Sequence, residues 1–190
     1  MKGYKRYKWF FTSSGKLVVG GKSAEQNDGL LKKILEFDYE MYVMHTTHPG
    51  SPFCVIISGI DKVLKKDLEE MAVFTGCFSR AWKEGKSKTE VHLFKTSQVS
   101  KDKGMKAGTW RVNGKVHKKK VELKLCLIKQ KRVFRAVPEI SVNDEKVFLR
   151  ICPGNIDKEK MMSKFKEILG RSFKKEEIMS ALPAGGVRIC

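Results

Sequence analysis

The stretch LVVGGKSAEQNDGLLKKI, residues 17–34, constrains the fold more than any other part of the chain. A β-branched run gives way at Gly20-Gly21 to a segment whose apolar residues Leu30, Leu31, Ile34, Leu35 and Phe37 fall at helical spacing, so a strand must turn at once into a helix. The spacing predicts a helix over 24–36, opened by Ser23 and Gln26 as an S-x-x-Q capping box. Upstream, YKWFFT and KLVVGG flank SSG and read as a hairpin.

Glycine, lysine and serine between a strand and a helix also invite comparison with a phosphate-binding P-loop. That motif requires a glycine five positions before Gly21, where the chain has Lys16; Gly15 misses by one and belongs to the preceding turn. A nucleotide-hydrolysing site of this type is therefore excluded. A weaker function survives, because the first N–H groups of a helix favour an anion, and Lys22 stands beside them.

Further along, MYVMH and FCVIIS read as two strands around TTHPGSP, and continuous apolar runs of this kind suit a sheet covered on both faces. Val63, Leu64, Leu68, Met71, Ala72, Phe78 and Trp82 predict one long helix over 61–83, and TEVHLFKT a strand. Asn113-Gly114 between alternating segments predicts a hairpin turn. The apolar alternation continues through 121–128. Beyond it come strands at VFRAV and VFLRI, helices over 157–169 and 174–182, and an edge strand at VRIC. The expected class is α/β (α+β): a mixed β-sheet with helices packed on it, spanning 1–131, and a small C-terminal α+β extension over 132–190 packed against it.

With 190 residues, 41% of them hydrophobic, the chain is long enough for a substantial core. No run approaches a membrane span, the N-terminus lacks a signal-peptide core, and a cytoplasmic protein without membrane contact is expected. Five cysteines, none in a C-x-x-C pair, predict reduced thiols. His45, His48, Cys54 and Cys77 are metal-ligand types, but His-x-x-His alone is a weak pattern and Cys54 sits in an apolar strand, so neither a metal nor a cofactor is assigned. No catalytic triad or carboxylate pair is recognisable from spacing, and a binding protein is favoured over an enzyme.

Charge placement carries the functional signal. Of a formal net +18, residues 1–16 hold five basic and no acidic side chains and 95–132 hold thirteen basic against two acidic, which leaves +2 for the rest. Such concentration points to a polyanion, nucleic acid first. Candidate phosphate contacts are Lys8, Lys22, Lys95, Lys101, Lys103, Lys106, Arg111, Lys115, Lys118, Lys119 and Lys120, with Trp110 as a base-stacking aromatic or a core residue. Gln26, Asn27, His45, His48, Ser51 and Gln98 are candidate polar readers.

Taken together, LVVGGKSAEQNDGLL, VMHTTHPGSPFCVI and VHLFKTSQVSKDKGMKAGTWRVNGK resemble the NFACT RNA-binding domain, NFACT-R. The matching features are Trp9, Gly21 to Asn27, His45, Gly50-Ser51, Ala81-Trp82, Gln98 to Lys101 and Gly108 to Lys115, over roughly 5–125. Ser23 departs from the acidic or amide residue common there. The resemblance implies an RNA partner, tRNA or rRNA and through it the ribosome, in translation, ribosome quality control or RNA modification. A stand-alone form is expected, because 190 residues leave no room for the large N-terminal domain and coiled coil of the quality-control members. Two other classes stay open: an RNA- or nucleotide-modifying enzyme with a pocket near His45/His48, and a basic protein-interaction module. Oligomeric state is left open.

Overall fold

A computed structural model describes residues 1–142 and 147–190. The N-terminal hairpin forms as read, β1 (Lys8–Phe11) pairing β2 (Leu17–Gly20), and α1 (Ala24–Leu35) follows directly. After β3 (Tyr42–Thr46) and β4 (Cys54–Ile56) the expected long helix is broken in two, α2 (Lys65–Cys77) and α3 (Arg80–Lys83). Ser79 causes the break: its hydroxyl donates to the Gly76 carbonyl at 2.6 Å and accepts from Ala81 N, closing one helix and capping the next.

Next come β5 (Lys88–Lys95), the two-residue strands β6 (Val99–Ser100) and β7 (Arg111–Val112), and β8 (His117–Glu122). β9 (Leu125–Gln130), β10 (Val133–Pro138), β11 (Leu149–Asp157), α4 (Lys158–Leu169), α5 (Lys175–Ala181) and β12 (Gly186–Ile189) complete the chain. The expected α+β class is the one observed, and every described strand pairing is antiparallel. The main sheet runs β1-β2-β4-β3-β5-β8 and a second runs β10-β9-β11-β12. The second sheet thus takes β9 from before residue 132.

Strand alternation explains the continuous apolar runs. Phe10, Val18, Met44, Cys54, Ile56 and Val91 face a core shared with α2, the second sheet and α4 and α5. Trp9, Val19, Val43, Val55 and Phe94 face the opposite way, against Leu30, Leu31 and Ile34 of α1. Both faces of the main sheet are covered, so neither set of residues alternates with polar ones. Two buried acids fix the first hairpin: Glu70 accepts from Ser13 N and Oγ, and Asp67 accepts from Ser14 Oγ at 2.6 Å while capping Leu64 N. Among the described residues no helix is long and apolar enough to cross a membrane.

Asn113-Gly114 does turn, with Gly114 at φ +74°, but it does not close a hairpin between its flanking segments. β7 pairs back on β6, and β8 departs to the edge of the main sheet. Both primed two-residue turns need positive φ at the first centre, which Asn113 lacks, and type I′ needs it at both. That backbone occurs instead at Lys131-Arg132, φ 50° and 67°, joining β9 to β10. A second correction concerns sulfur. Antiparallel pairing of β11 with β12 brings Cys152 and Cys190 to a Cα separation of 6.1 Å, and they form a disulfide; Cys54, Cys77 and Cys126 are buried.

Candidate nucleic-acid interface

The glycine pair is required by packing. A Cβ on Gly20 would sit 2.9 Å from Cys54 Sγ, and one on Gly21 would meet the Asn27 backbone N at 2.8 Å and its side chain closer still. The helix start is therefore pressed into the strand it leaves. Ser23 Oγ accepts from Gln26 N at 3.2 Å, but Gln26 Oε1 accepts from Lys22 N rather than from Ser23 N, a cap one residue wider than a capping box. Asn27 is buried, its Oδ1 accepting from Phe53 N at 3.1 Å. Ser51 Oγ accepts from Thr46 N. The Gln98 amide donates to the carbonyls of Asn113 and Lys115 at 2.8 and 2.9 Å, while its oxygen accepts from Lys95 N. In these four of the six expected polar readers, the carbonyl or hydroxyl oxygen already accepts a hydrogen bond from the protein's own backbone.

Asp28, which sequence reasoning missed, organises the basic segment. Its Oδ1 accepts from Trp110 Nε1 at 2.7 Å, Gly108 N at 3.0 Å and Lys101 Nζ at 2.8 Å, and Oδ2 accepts from Lys101 at 2.7 Å. Burial alone would raise the Asp28 pKa; the Lys101, Trp110 and Gly108 bonds overcome it and hold the carboxyl below its ordinary value. Gly108, at φ +75°, lies so close to α1 that a Cβ would be 2.8 Å from Ala24 Cβ. The Lys101 ammonium is thereby spent on anchoring the loop, and Trp110 is half-buried with its ring 5.3 Å from that ammonium.

The remaining cations divide. Lys103, Lys106 and Lys115 are exposed on the anchored loop and the turn after it. Arg111 pairs with Asp102 at 2.6 Å and Lys95 with Glu40 at 3.1 Å. Lys118, Lys119 and Lys120 lie on β8, the edge strand, where lysines also guard an open edge against pairing with another chain; Lys119 meets Glu69 and Lys118 lies 3.9 Å from Glu90.

A cleft of about 680 Å³ opens at the start of α1, lined by Lys8, Lys22, Ser23, His45, Phe53 and Trp110 and, from the C-terminal part, by Lys158 and Leu182. Lys8 Nζ donates to the carbonyls of Ser180 and Leu182. Burial, together with the nearby charges of Lys22, Lys158 and Arg135, lowers its pKa to about 7. Among the described residues no carboxylate forms an ion pair with Lys8, Lys22 or Lys158. Lys158 is moreover the first residue of α4, where the helix dipole disfavours a cation. Lys8 and Lys158 are half-buried and Lys22 is exposed beside them, and an anion in the cleft would relieve the repulsion among the three. Lys158 and Arg135 carry no motif; only the fold brings them here.

His45 lines this cleft, its ring 4.5 Å from that of Phe53. Nδ1 lies 2.7 Å from the Thr46 carbonyl, which only accepts, so Nδ1 carries a proton; burial pushes the pKa down and favours the neutral ring. His48 lines a different hollow, with Arg80 and Glu84, so the two histidines face separate spaces. Among the described residues no three His, Cys, Asp or Glu side chains are grouped to hold a metal.

The chain is 31% identical to a protein named archaeal Rqc2 homolog aRqcH, from Methanocaldococcus jannaschii, over 99% of its own length and 29% of the relative's. It is 29% identical to the protein named ribosome quality control complex subunit NEMF, in mouse and human alike, over 42% of this chain and 7% of theirs. It thus spans less than a third of the length of these relatives. The solved C-terminal part of the fibronectin/fibrinogen-binding protein of Streptococcus suis shares the fold at a TM-score of 0.52 and 19% identity, over 62% of this chain and 44% of that one. Residues 6–114, which hold Lys8, the α1 start, His45, Asp28 and the anchored loop, match the family described as NFACT protein RNA binding domain, and the chain belongs to that family.

Proposed function

We propose that this chain binds RNA as a module of ribosome quality control, tRNA or rRNA being the RNA it meets. The observation that carries the reading is the cluster of Lys8, Lys22 and Lys158, which three separate elements bring to one cleft with no carboxylate paired to them among the described residues. The exposed lysines of the Asp28-anchored loop extend the same positive surface along a strand of phosphates. The family description and the names of the archaeal and mammalian relatives support an RNA partner at the ribosome. An enzyme using His45 and His48 together loses its geometry, because the two line separate hollows.

The test is RNA affinity against salt. Four to six phosphate contacts give a slope of log affinity against log salt of roughly −3 to −5, a loss of about 60- to 1000-fold between 50 and 200 mM. Lys103→Gln with Lys106→Gln should lower both affinity and slope while leaving the unfolding midpoint unchanged. Binding indifferent to salt and to those substitutions would reject the reading. Sequencing RNA crosslinked in the native cell distinguishes tRNA from rRNA.

A further inference from the structure

Salt-dependent RNA binding needs only an exposed positive surface, yet this chain has in addition a walled cleft with an aromatic side. We propose that the cleft at the start of α1 seats a single unstacked nucleotide of an RNA strand, its phosphate against Lys8, Lys22 and Lys158 and its base against His45 and Trp110. This rests on the RNA-binding reading above and assigns it a one-nucleotide subsite.

Size comes first. About 680 Å³ falls within the range of pockets that enclose a small ligand, ample for one nucleotide and too narrow for a duplex. Chemistry comes second. Two of the three Lys8 ammonium hydrogens are taken by the Ser180 and Leu182 carbonyls at 2.8 and 3.2 Å, which fixes the group in place and leaves one donor. Lys22 and Ser23, at the start of α1, line the same wall, and because the Glu25 carboxylate there already takes Ser23 Oγ and its own backbone N–H, the phosphate is met by the lysine ammonium groups. On the other side, the neutral His45 ring is backed by Phe53, and Trp110 is held by Asp28 through its indole N–H. Both rings are partly exposed, as a stacking platform must be, whereas Phe53 is 4% exposed and supports from behind.

The cluster also predicts a pH signature. Lys8 is faced by Lys22, Arg135 and Lys158, with Glu177 beside Arg135 and with His45 and His92 lining the same cleft. With a pKa of about 7, Lys8 is mostly charged at pH 6 and about one-tenth charged at pH 8. A bound phosphodiester favours its charged form, so binding takes up a proton and weakens about tenfold from pH 6 to pH 8.

The experiment titrates the whole chain with a single-stranded hexaribonucleotide, the same hexamer as a duplex, adenosine monophosphate and inorganic phosphate, and follows the Trp110 indole and His45 ring signals by NMR. The single strand should shift both signals and be displaced by adenosine monophosphate, which inorganic phosphate and duplex do not reproduce. The tenfold pH dependence should vanish in Lys8→Gln, and Lys22→Gln and Lys158→Gln, at the cleft rim, should weaken the single strand with the fold intact. If the hexamer binds but leaves Trp110 and His45 unmoved, the subsite is overturned while RNA binding stands. If adenosine monophosphate shifts both signals and no RNA binds, the RNA assignment itself is overturned and the cleft is a free-nucleotide site.

Discussion

Asp28→Asn separates a charge-only account of the basic segment from one in which its shape matters. The carboxylate accepts four bonds of 2.7 to 3.0 Å, two from Lys101 and one each from Trp110 and Gly108. Hydrogen bonds to a charged group contribute about 1.5–3 kcal/mol each, and asparagine keeps one acceptor while turning an NH₂ toward the Lys101 ammonium. Allowing for relaxation of the loop and solvation of the freed lysine, the expected loss is about 2–4 kcal/mol, concentrated in residues 101–110. Denaturant unfolding gives the global part, and hydrogen exchange at the Gly108 amide and Trp110 indole gives the local part. The substitution raises the formal net charge of +18 by one unit, so electrostatics alone would tighten RNA binding. A loop held in place by Asp28 predicts the opposite, about tenfold weaker binding. Because the folded pKa of Asp28 is lowered, its contribution is present above the ordinary carboxylate range and is lost as pH falls through the folded value; Asp28→Asn should remove that part of the acid limb. Stability within about 0.5 kcal/mol of the parent, together with tighter RNA binding, would show that Asp28 does not hold the loop.

Gly21→Ala should destabilise by about 2–3 kcal/mol in thermal unfolding, because its Cβ meets backbone that cannot yield; a neutral result would show that the strand-to-helix turn has slack. Arg132→Gly should stabilise by about 1 kcal/mol by relieving a left-handed non-glycine residue at the β9–β10 turn, read from the denaturation midpoint. In the native protein a thiol reagent should leave Cys54 and Cys77 unlabelled, since burial pushes Cys54 up to about 12 and Cys77 well above its ordinary value; prompt labelling of either would contradict the buried core. Reduction should expose Cys190 to the reagent and cost up to about 4 kcal/mol for a 38-residue loop, measured by unfolding with and without reductant.

The strand-glycine-helix stretch, the covered strands and the C-terminal helices were legible because each is written in local periodicity. What was not legible required knowing partners. Ser79 breaks a helix whose apolar spacing runs straight through it, since a hydroxyl can cap only once the chain has bent. Asn113-Gly114 advertised a hairpin that Gln98 pre-empts by binding the carbonyls of Asn113 and Lys115. Lys131-Arg132 forms the two-residue turn without a turn residue. Cys152 and Cys190 meet only because β12 pairs β11. At the site, charge counting found the right segments but ranked every lysine alike. Lys101 serves the fold, while Lys158 lay in a part of the chain whose charges nearly cancel. An acid on α1 between two basic segments was the available hint for Asp28, but nothing in the sequence separates it from Glu25 three residues earlier, which does not bind the loop.

In the proposed reading, RNA phosphates are bound by charges from both ends of the chain at one cleft. The most direct measurement is the salt slope of RNA affinity for Lys22→Gln and Lys158→Gln, singly and together, against Lys118→Gln with Lys120→Gln on the sheet edge. Each cleft substitution should reduce the slope by about one and weaken binding, and the edge pair should change both far less. An unchanged slope for the cleft pair, with a large drop for the edge pair, would contradict the account and move the interface to β8.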